Sequence, residues 1–262
     1  MKRVRLDSLL SQRGVFPSRS RAAASVLAGE ILLPTQRRRA RKPGQMVPED
    51  IELEVAQGPA YASRGAIKLA NALDRLQVEI SGRRAVDVGA STGGFTDCLL
   101  RRGAAHVVAV DVADGALDRR LRHDPRVTVL ARRNARSLSP KELPYAAELI
   151  VIDVSFISLT KILPAVLACA AARFDCLALV KPQFEVGRER IGKAGVVREP
   201  QFRREALLGV ARAAVVLEAA VLGFASSGLP GPKGNLETFV WIADGARGGC
   251  EDLVAALREV EP

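Results

Sequence analysis

The stretch Val86-Asp87-Val88-Gly89-Ala90-Ser91-Thr92-Gly93-Gly94-Phe95-Thr96-Asp97-Cys98-Leu99-Leu100 reads as a buried strand joined to a helix by a glycine-rich turn with carboxylates on both sides. A turn of this kind at the end of a strand is a nucleotide-type cofactor loop. A dinucleotide fingerprint wants glycine at its first, third and sixth positions, the third so that backbone can approach a pyrophosphate. Those positions hold Gly89, Ser91 and Gly94. A serine side chain obstructs that approach. S-adenosylmethionine has no phosphates and needs only room for its methionine part, plus carboxylates to meet its ammonium and sulfonium charges. Asp87 supplies one carboxylate. Asp111 closes the next apolar run, His106-Val107-Val108-Ala109-Val110, roughly 20 residues on, where an acidic residue accepts hydrogen bonds from ribose hydroxyls. A glycine turn alone is often only a tight connection, so the pair is the more specific signal.

With 262 residues, 48% hydrophobic and 26% charged, the chain has the composition of a globular protein with one large domain and a small one. The four cysteines, Cys98, Cys169, Cys176 and Cys250, lie in apolar segments without CxxC spacing, so neither a zinc site nor a disulfide framework is expected. No metal is called for. The longest apolar stretches, 162–172 and 213–225, are short or broken by Pro164 and Glu218, and no membrane insertion is expected. The first seven residues lack the apolar core of a secretion signal, which makes a cytoplasmic location the expectation.

Charge is concentrated at the start of the chain. Residues 1–42 hold 11 Lys or Arg against 2 Asp or Glu, in a chain whose net charge is +10. Such an excess on a short module is the footprint of phosphate binding. The bland alternative is a solvated face or a disordered arm. Periodicity argues for a folded module: Leu6, Leu9 and Leu10 make a helical stripe ended by Gly14. Ser18 then caps a second helix carrying Ala22, Ala23, Val26 and Leu27, ended by Gly29, and a strand follows at 30–33. The order helix, helix, strand, with Arg19 and Arg21 opening the second helix, resembles the small RNA-binding domain named after ribosomal protein S-four. That domain turns after the strand on Asn or Asp followed by Gly. Here Pro34-Thr35-Gln36 precedes Arg37-Arg38-Arg39-Ala40-Arg41-Lys42, so a distorted hairpin with extra phosphate contacts is expected. Arg3, Arg5, Arg19, Arg21, Arg37, Arg38, Arg39, Arg41 and Lys42 are the candidate RNA-binding residues.

An alternating strand pattern runs over 49–55, and Ala56-Gln57-Gly58-Pro59 breaks it. The expected organisation is an S-four-like domain at 1–58, a linker at 59–63, a catalytic domain at 64–248, and a C-terminal helix and tail at 249–262. Ser63 can cap a helix from residue 64 or 65 to about Leu76 with Ile67, Leu69, Ala70 and Leu73 as its apolar stripe and Lys68 off its centre. Beyond the cofactor loop, apolar runs at 126–130, 149–153, 176–181, 219–225 and 238–243 alternate with helical patterns. The alternation predicts an α/β fold with a parallel doubly wound sheet.

Ligands of such a sheet sit at the carboxyl ends of its strands. Asp153 ends Leu149-Ile150-Val151-Ile152, and Lys181 ends Leu177-Ala178-Leu179-Val180. From position alone these two are as well read as a structural ion pair. Asn134, after the third strand, suits adenine contacts. Glu237 begins the last strand, after the turn Gly231-Pro232-Lys233-Gly234-Asn235.

With these residues in view the chain resembles the TlyA-type hemolysin and ribosomal RNA methyltransferase family, related to the FtsJ-like 2′-O-methyltransferases. The resemblance covers nearly the whole length. It rests on Ser63-Arg64-Gly65 with Lys68-Leu69, the cofactor loop, Asp153-Val154-Ser155-Phe156-Ile157-Ser158-Leu159, Val180-Lys181-Pro182-Gln183-Phe184-Glu185-Val186-Gly187, and Gly234-Asn235-Leu236-Glu237. It implies a Rossmann-like class I methyltransferase sheet and a Lys-Asp-Lys-Glu tetrad falling on Lys68, Asp153, Lys181 and Glu237. It also implies a cofactor site at Asp87, Gly89, Ser91, Thr92, Gly93, Gly94, Phe95, Asp111 and Asn134. The implied reaction is methyl transfer from S-adenosylmethionine to a ribose 2′-hydroxyl of 16S or 23S ribosomal RNA, on a cytidine, with ribosomal RNA or a subunit as partner. A ribose hydroxyl is a poor nucleophile at neutral pH and must share its proton with a base. Lys181 is the expected base or oxyanion stabiliser, Asp153 its orienter, and Lys68 and Glu237 substrate-side partners, with the charge of Lys68 favouring a neutral Lys181.

Other chemistries match the residues less well. Methylation of an adenine nitrogen wants two prolines and an aromatic after the strand-end Asp or Asn, and Asp153-Val154-Ser155-Phe156 has no proline. Methylation of a cytosine carbon wants a cysteine at the site. Gly115-Ala116-Leu117-Asp118 has the look of a pseudouridine synthase motif, but Arg119-Arg120 follows it, and Asp118 is expected to be a solvated helix residue. A membrane-acting hemolysin and an RNA-binding protein without catalysis are the readings from other classes.

Overall fold

The computed structural model describes residues 3–27, 30–33, 38–40, 42–55, 61–192 and 194–261, the side chains of Arg21, Ala24, Leu27, Arg38 and Arg39 excepted. The chain divides into two compact units, residues 1–67 and 68–262.

The first unit contains β1 (Arg3–Arg5), α1 (Leu6–Gln12), α2 (Arg19–Leu27), β2 (Ile31–Leu33), β3 (Arg38–Arg39), β4 (Met46–Pro48) and β5 (Glu54–Val55). The leucine stripe of α1 and Ala22 and Val26 of α2 are buried with Ile31 and Leu33 in one core. The alternating segment 49–55 is not one strand. β4 pairs antiparallel with β1 and β5 with β2. Between them the Ile51 N–H donates to the Pro48 carbonyl at 3.1 Å, closing a turn that sends Ile51 into the core. Pro48 has no N–H to extend a ladder, which fits a strand that stops there. β2 and β3 pair antiparallel through Leu33 and Arg38. Residues 34–37, on which the distorted-hairpin expectation falls, lie outside the described residues, as does Gly29.

α3 (Gly65–Leu76) spans the division between the units. After it come β6 (Arg84–Val88), α4 (Gly94–Arg101), β7 (His106–Val110), α5 (Arg119–Arg122), β8 (Val127–Leu130), β9 (Ala147–Ile152), α6 (Leu163–Leu167), β10 (Ala170–Val180), α7 (Pro182–Glu185), α8 (Pro200–Val216), β11 (Ala220–Ser226), β12 (Thr238–Ala243) and α9 (Leu253–Val260). The seven strands lie in the order β11-β12-β10-β9-β6-β7-β8. Neighbours from β10 to β8 are parallel, whereas β12 runs antiparallel to both β10 and β11. The expected all-parallel sheet is corrected at this strand: the connection 227–237 from β11 holds no crossover helix, so the chain reverses into its neighbour. Asp118 also differs from expectation, since its carboxylate accepts the Arg120 N–H at 2.8 Å and caps α5.

Side chains alternate between two covered faces, as a mostly parallel sheet requires. Val86, Val88, Ile150, Ile152, Cys176 and Ala178 share a core with α6, α8 and α9 residues. The chain moves outward from β6 in one direction and from β9 in the other, which leaves a crevice between their ends. Backbone closes its floor: the Asp153 N–H donates to the Val88 carbonyl at 2.9 Å. Gly89 sits at φ +85, and any Cβ there collides with the Asp153 carbonyl oxygen. Gly82 has a similar φ of +75 with open space around it. Gly82→Ala is therefore expected to cost about 1 kcal/mol for its backbone conformation alone. Gly89→Ala should cost at least twice as much in urea unfolding, and equal losses would contradict the close approach.

Candidate active site

The glycine turn is held by its own backbone. Gly89 N–H and Ala90 N–H donate to the Val110 carbonyl at 2.8 and 3.1 Å, and Gly93 N–H donates to Ala90 at 2.7 Å. Ser91 adopts φ +49, and its N–H donates to Asp111 Oδ2 at 2.7 Å while Ala113 N–H donates to Oδ1 at 2.8 Å. The Ser91 amide, at the position where a dinucleotide fold brings backbone to a pyrophosphate, thus fixes a carboxylate. Asp111 stands on the wall of a cleft of about 280 Å³ that also presents Gly89, Ser91, Asn134, Asp153 and Phe156. The Asn134 side-chain oxygen is partly engaged, accepting the Arg136 N–H at 3.0 Å.

Asp87 lies fully buried, and the Thr96 hydroxyl donates to its Oδ2 at 2.7 Å. Its Oδ1 has no hydrogen-bond partner. Burial pushes this carboxyl up to about 7, against the pull of the Thr96 bond and with the Asp153 charge adding to the rise. Asp87, Thr92, Gly93 and Gly94 are not among the residues lining the cleft. Phe95, 3% exposed, packs on Phe239 with ring centroids 5.8 Å apart, in the core.

The four tetrad candidates form two ion pairs. Lys68 of α3 meets Glu237, which immediately precedes β12; their side chains are 10% and 1% exposed. Any Cβ at Gly231 collides with the Glu237 carboxylate, so the turn 231–235 closes over it, held by the Gly231 N–H donating to the Asn235 carbonyl at 2.8 Å. Lys181, immediately after β10, lies 2.6 Å from Oδ1 of Asp153, immediately after β9, with side chains 13% and 24% exposed. The Lys181 ammonium also donates to Ser155 Oγ at 3.0 Å.

In the first unit, Arg5 donates twice to Asp7, at 3.1 and 2.8 Å, and Arg19 Nε lies 3.2 Å from the same carboxylate. Asp7 is nearly buried, and the Arg5 guanidinium chiefly holds its carboxyl down at about 2. The arginines themselves stay about half exposed. Arg3 donates to the Met46 carbonyl at 2.7 Å, and Lys42 is exposed. Arg37 and Arg41 lie outside the described residues, as do the side chains of Arg21, Arg38 and Arg39.

Three residues of the crevice escaped the sequence reading although the motifs containing them were quoted. Ser155 holds Lys181. Phe156 is 92% exposed at φ +65, its ring 5.2 Å from that of Phe184. Glu185 accepts from Ser158 and Leu159. An apolar residue beside a strand end signals core, so only the flanking serines hinted at an exposed loop. Burial raises the thiol of Cys98 to about 12 and that of Cys169 to about 11, and lifts those of Cys176 and Cys250 as well.

Residues 61–243 match the family described as FtsJ-like methyltransferase. The chain is 47% identical over 243 residues to the 16S/23S rRNA (cytidine-2′-O)-methyltransferase TlyA of Mycobacterium tuberculosis, covering 92% of this chain and 90% of that protein. It is 39% identical over 252 residues to YqxC of Bacillus subtilis, named as an rRNA methyltransferase, covering 94% and 89%. A solved structure of a hemolysin-named protein from Streptococcus thermophilus superposes with a TM-score of 0.74 at 36% identity, covering 99% and 94%. Sheet order, the single antiparallel strand and the crevice at the switch point define the fold of an S-adenosylmethionine-dependent methyltransferase. The chain belongs to the FtsJ-like methyltransferase family. Among the described residues no helix is long and apolar enough to cross a membrane.

The two ion pairs differ in depth, and that difference is measurable. Lys68→Met strands Glu237 as an unpaired buried charge and is expected to cost roughly 3–5 kcal/mol in urea unfolding at neutral pH. Lys181→Met leaves Asp153 within reach of water and should cost at most about 1 kcal/mol. Equal losses would make both pairs structural.

Proposed function

We propose that this chain transfers a methyl group from S-adenosylmethionine to a ribose 2′-hydroxyl of a cytidine in ribosomal RNA, in the cytoplasm. The observation that carries this reading is the placement of Lys181. Asp153 Oδ1 lies 2.6 Å and Ser155 Oγ 3.0 Å from its nitrogen, both residues line the cleft, and the amine keeps capacity for a substrate oxygen.

The cleft fits the cofactor. Asp111 presents a carboxylate whose oxygens each accept one backbone N–H and retain capacity for ribose hydroxyls. Asp87 Oδ1, an unsatisfied buried acceptor, suits an ammonium donor or an ordered water that relays to one. Val112, Ala135, Ile157 and Ile162 give the cleft apolar walls suited to a nucleobase. When bound, S-adenosylmethionine supplies an electrophilic methyl group on its sulfonium.

In this reading Lys181 reacts as the neutral amine: its lone pair takes the proton of the 2′-hydroxyl as that oxygen attacks the methyl carbon, and the ammonium so formed is held by Asp153 and Ser155. Asp153 and Ser155 hold the amine on line. Lys68, with Glu237 as counterion, fixes the substrate side of the crevice. The exposed Phe156 ring offers a face on which an unstacked base can lie. Arg3, Arg5, Arg19 and Lys42 supply phosphate contacts, and Asp7 holds two of these arginines in place. None of the four cysteines lines the cleft, which favours oxygen over a cytosine carbon as acceptor.

The test separates binding from turnover. Lys181→Ala should bind S-adenosylmethionine and RNA within about twofold of wild type while methyl transfer falls on the order of 10²–10⁴-fold. Lys181→Arg should also fail, because a guanidinium keeps its proton. Transfer at the wild-type rate by a normally folded Lys181→Ala protein would remove the central residue from this mechanism.

A further inference from the structure

Asp153 and Lys181 stand on different loops, one after β9 and one after β10, and the reaction proposed above needs their mutual distance fixed. Glu185, four residues after Lys181 and the last residue of α7, reaches across to the segment after β9. Its Oε2 accepts the Ser158 hydroxyl at 2.6 Å and its Oε1 accepts the Leu159 N–H at 2.8 Å. Both donors belong to the segment that begins at Asp153. Ser158 in turn accepts the Thr160 N–H at 3.2 Å and caps the short turn that follows, so the clasp grips an ordered point of that loop.

A second contact ties the same two segments. Phe156, three residues after Asp153, rests on Phe184, the neighbour of Glu185, with the rings tilted by 49°. Phe156 is held at φ +65, a conformation that a residue with a Cβ adopts only when its surroundings impose it. Glu185 is mostly buried, and burial raises its carboxyl above the usual range. No basic side chain is bonded to it among the described residues; its partners are a hydroxyl and an amide of the opposite loop.

We propose that Glu185 is a positioning residue for methyl transfer: it clasps the Asp153 loop to the Lys181 loop and so sets the geometry in which Asp153 holds the Lys181 amine. The inference rests on the methyltransferase reading above, because it gives the clasped pair its role. Glu185 touches neither Asp153 nor Lys181 and acts only through the backbone that carries them. A misplacement of about 1 Å at such a site costs on the order of a hundredfold in rate.

The experiment uses the full chain with S-adenosylmethionine and a ribosomal RNA transcript, and compares wild type with Glu185→Ala, Glu185→Gln, Ser158→Ala and the Glu185→Ala/Ser158→Ala double variant. Glu185→Ala should lower kcat by roughly ten- to a hundredfold, with KM for both substrates within about twofold. Glu185→Gln should recover most of the rate, since an amide can accept the Leu159 N–H and donate to the Ser158 hydroxyl. The double variant should be no slower than Glu185→Ala, as expected of residues sharing one interaction. Hydrogen exchange at the Leu159 amide should quicken in Glu185→Ala and return toward wild type in Glu185→Gln. A kcat for Glu185→Ala within twofold of wild type overturns the proposal, as does a loss that only tracks the unfolded fraction. Should Glu185→Ala not fold, a Glu185→Gln protein as slow as Lys181→Ala, or a Ser158→Ala protein with unchanged kcat, overturns it instead. Absence of transfer by wild type counts against the methyltransferase reading, and unaltered Leu159 exchange counts against the clasp, so the two failures are distinguishable.

Discussion

Because β12 runs antiparallel between β10 and β11, its first residues emerge at the edge of the sheet where the parallel strands end. Glu237 is thereby delivered to the crevice that Asp153 and Lys181 reach from the opposite chain direction. Had β12 been parallel, Glu237 would lie at the far edge, a sheet's length from Lys68. The buried pair it forms with Lys68 also joins α3 to the sheet, alongside the Asn71 amide that donates to the Ser227 carbonyl at 2.9 Å. Helix, turn 231–235 and strand therefore depend on a single reversal of direction.

The charged groups of the crevice are graded by depth. Asp87 lies deepest and its carboxyl is raised by burial. Lys68 and Glu237 are buried as a pair, and Lys181 and Asp153 keep some access to water. A buried pair gives geometry at a desolvation cost, whereas a partly open pair leaves a donor free for a ligand. The same logic serves the first unit, where Asp7 is buried so that Arg5 and Arg19 are oriented while staying exposed.

Much of this was legible from residue order. The strand, glycine turn and helix at 84–101 and the polar residues ending apolar runs at Asp111, Asp153 and Lys181 follow from periods of two and 3.6. The helix at 65–76 was legible to within a residue. Other features were not. Alternation cannot give a strand's direction, so the reversal at β12 was not legible in it. The turn that follows Pro48 takes up residues 49–53, which leaves only Glu54–Val55 of the alternating segment as strand. Phe95 sits in the quoted loop, but its ring packs on Phe239, a partner more than a hundred positions away in sequence. The opposite error concerns Phe156, an apolar residue in an apolar context that the loop after Asp153 turns outward. Counting charges identified the basic module without revealing that Asp7 engages two of its arginines.

A ribose oxygen as methyl acceptor is tested directly by the chemistry of RNA cleavage. Alkaline hydrolysis needs a free 2′-hydroxyl, so a nucleotide methylated there resists cleavage on its 3′ side and survives as a dinucleotide. Ribosomal RNA labelled by this protein from S-adenosylmethionine with a tritiated methyl group should yield its label in alkali-stable dinucleotides carrying 2′-O-methylcytidine. Label recovered in mononucleotides, on the base, would contradict the account.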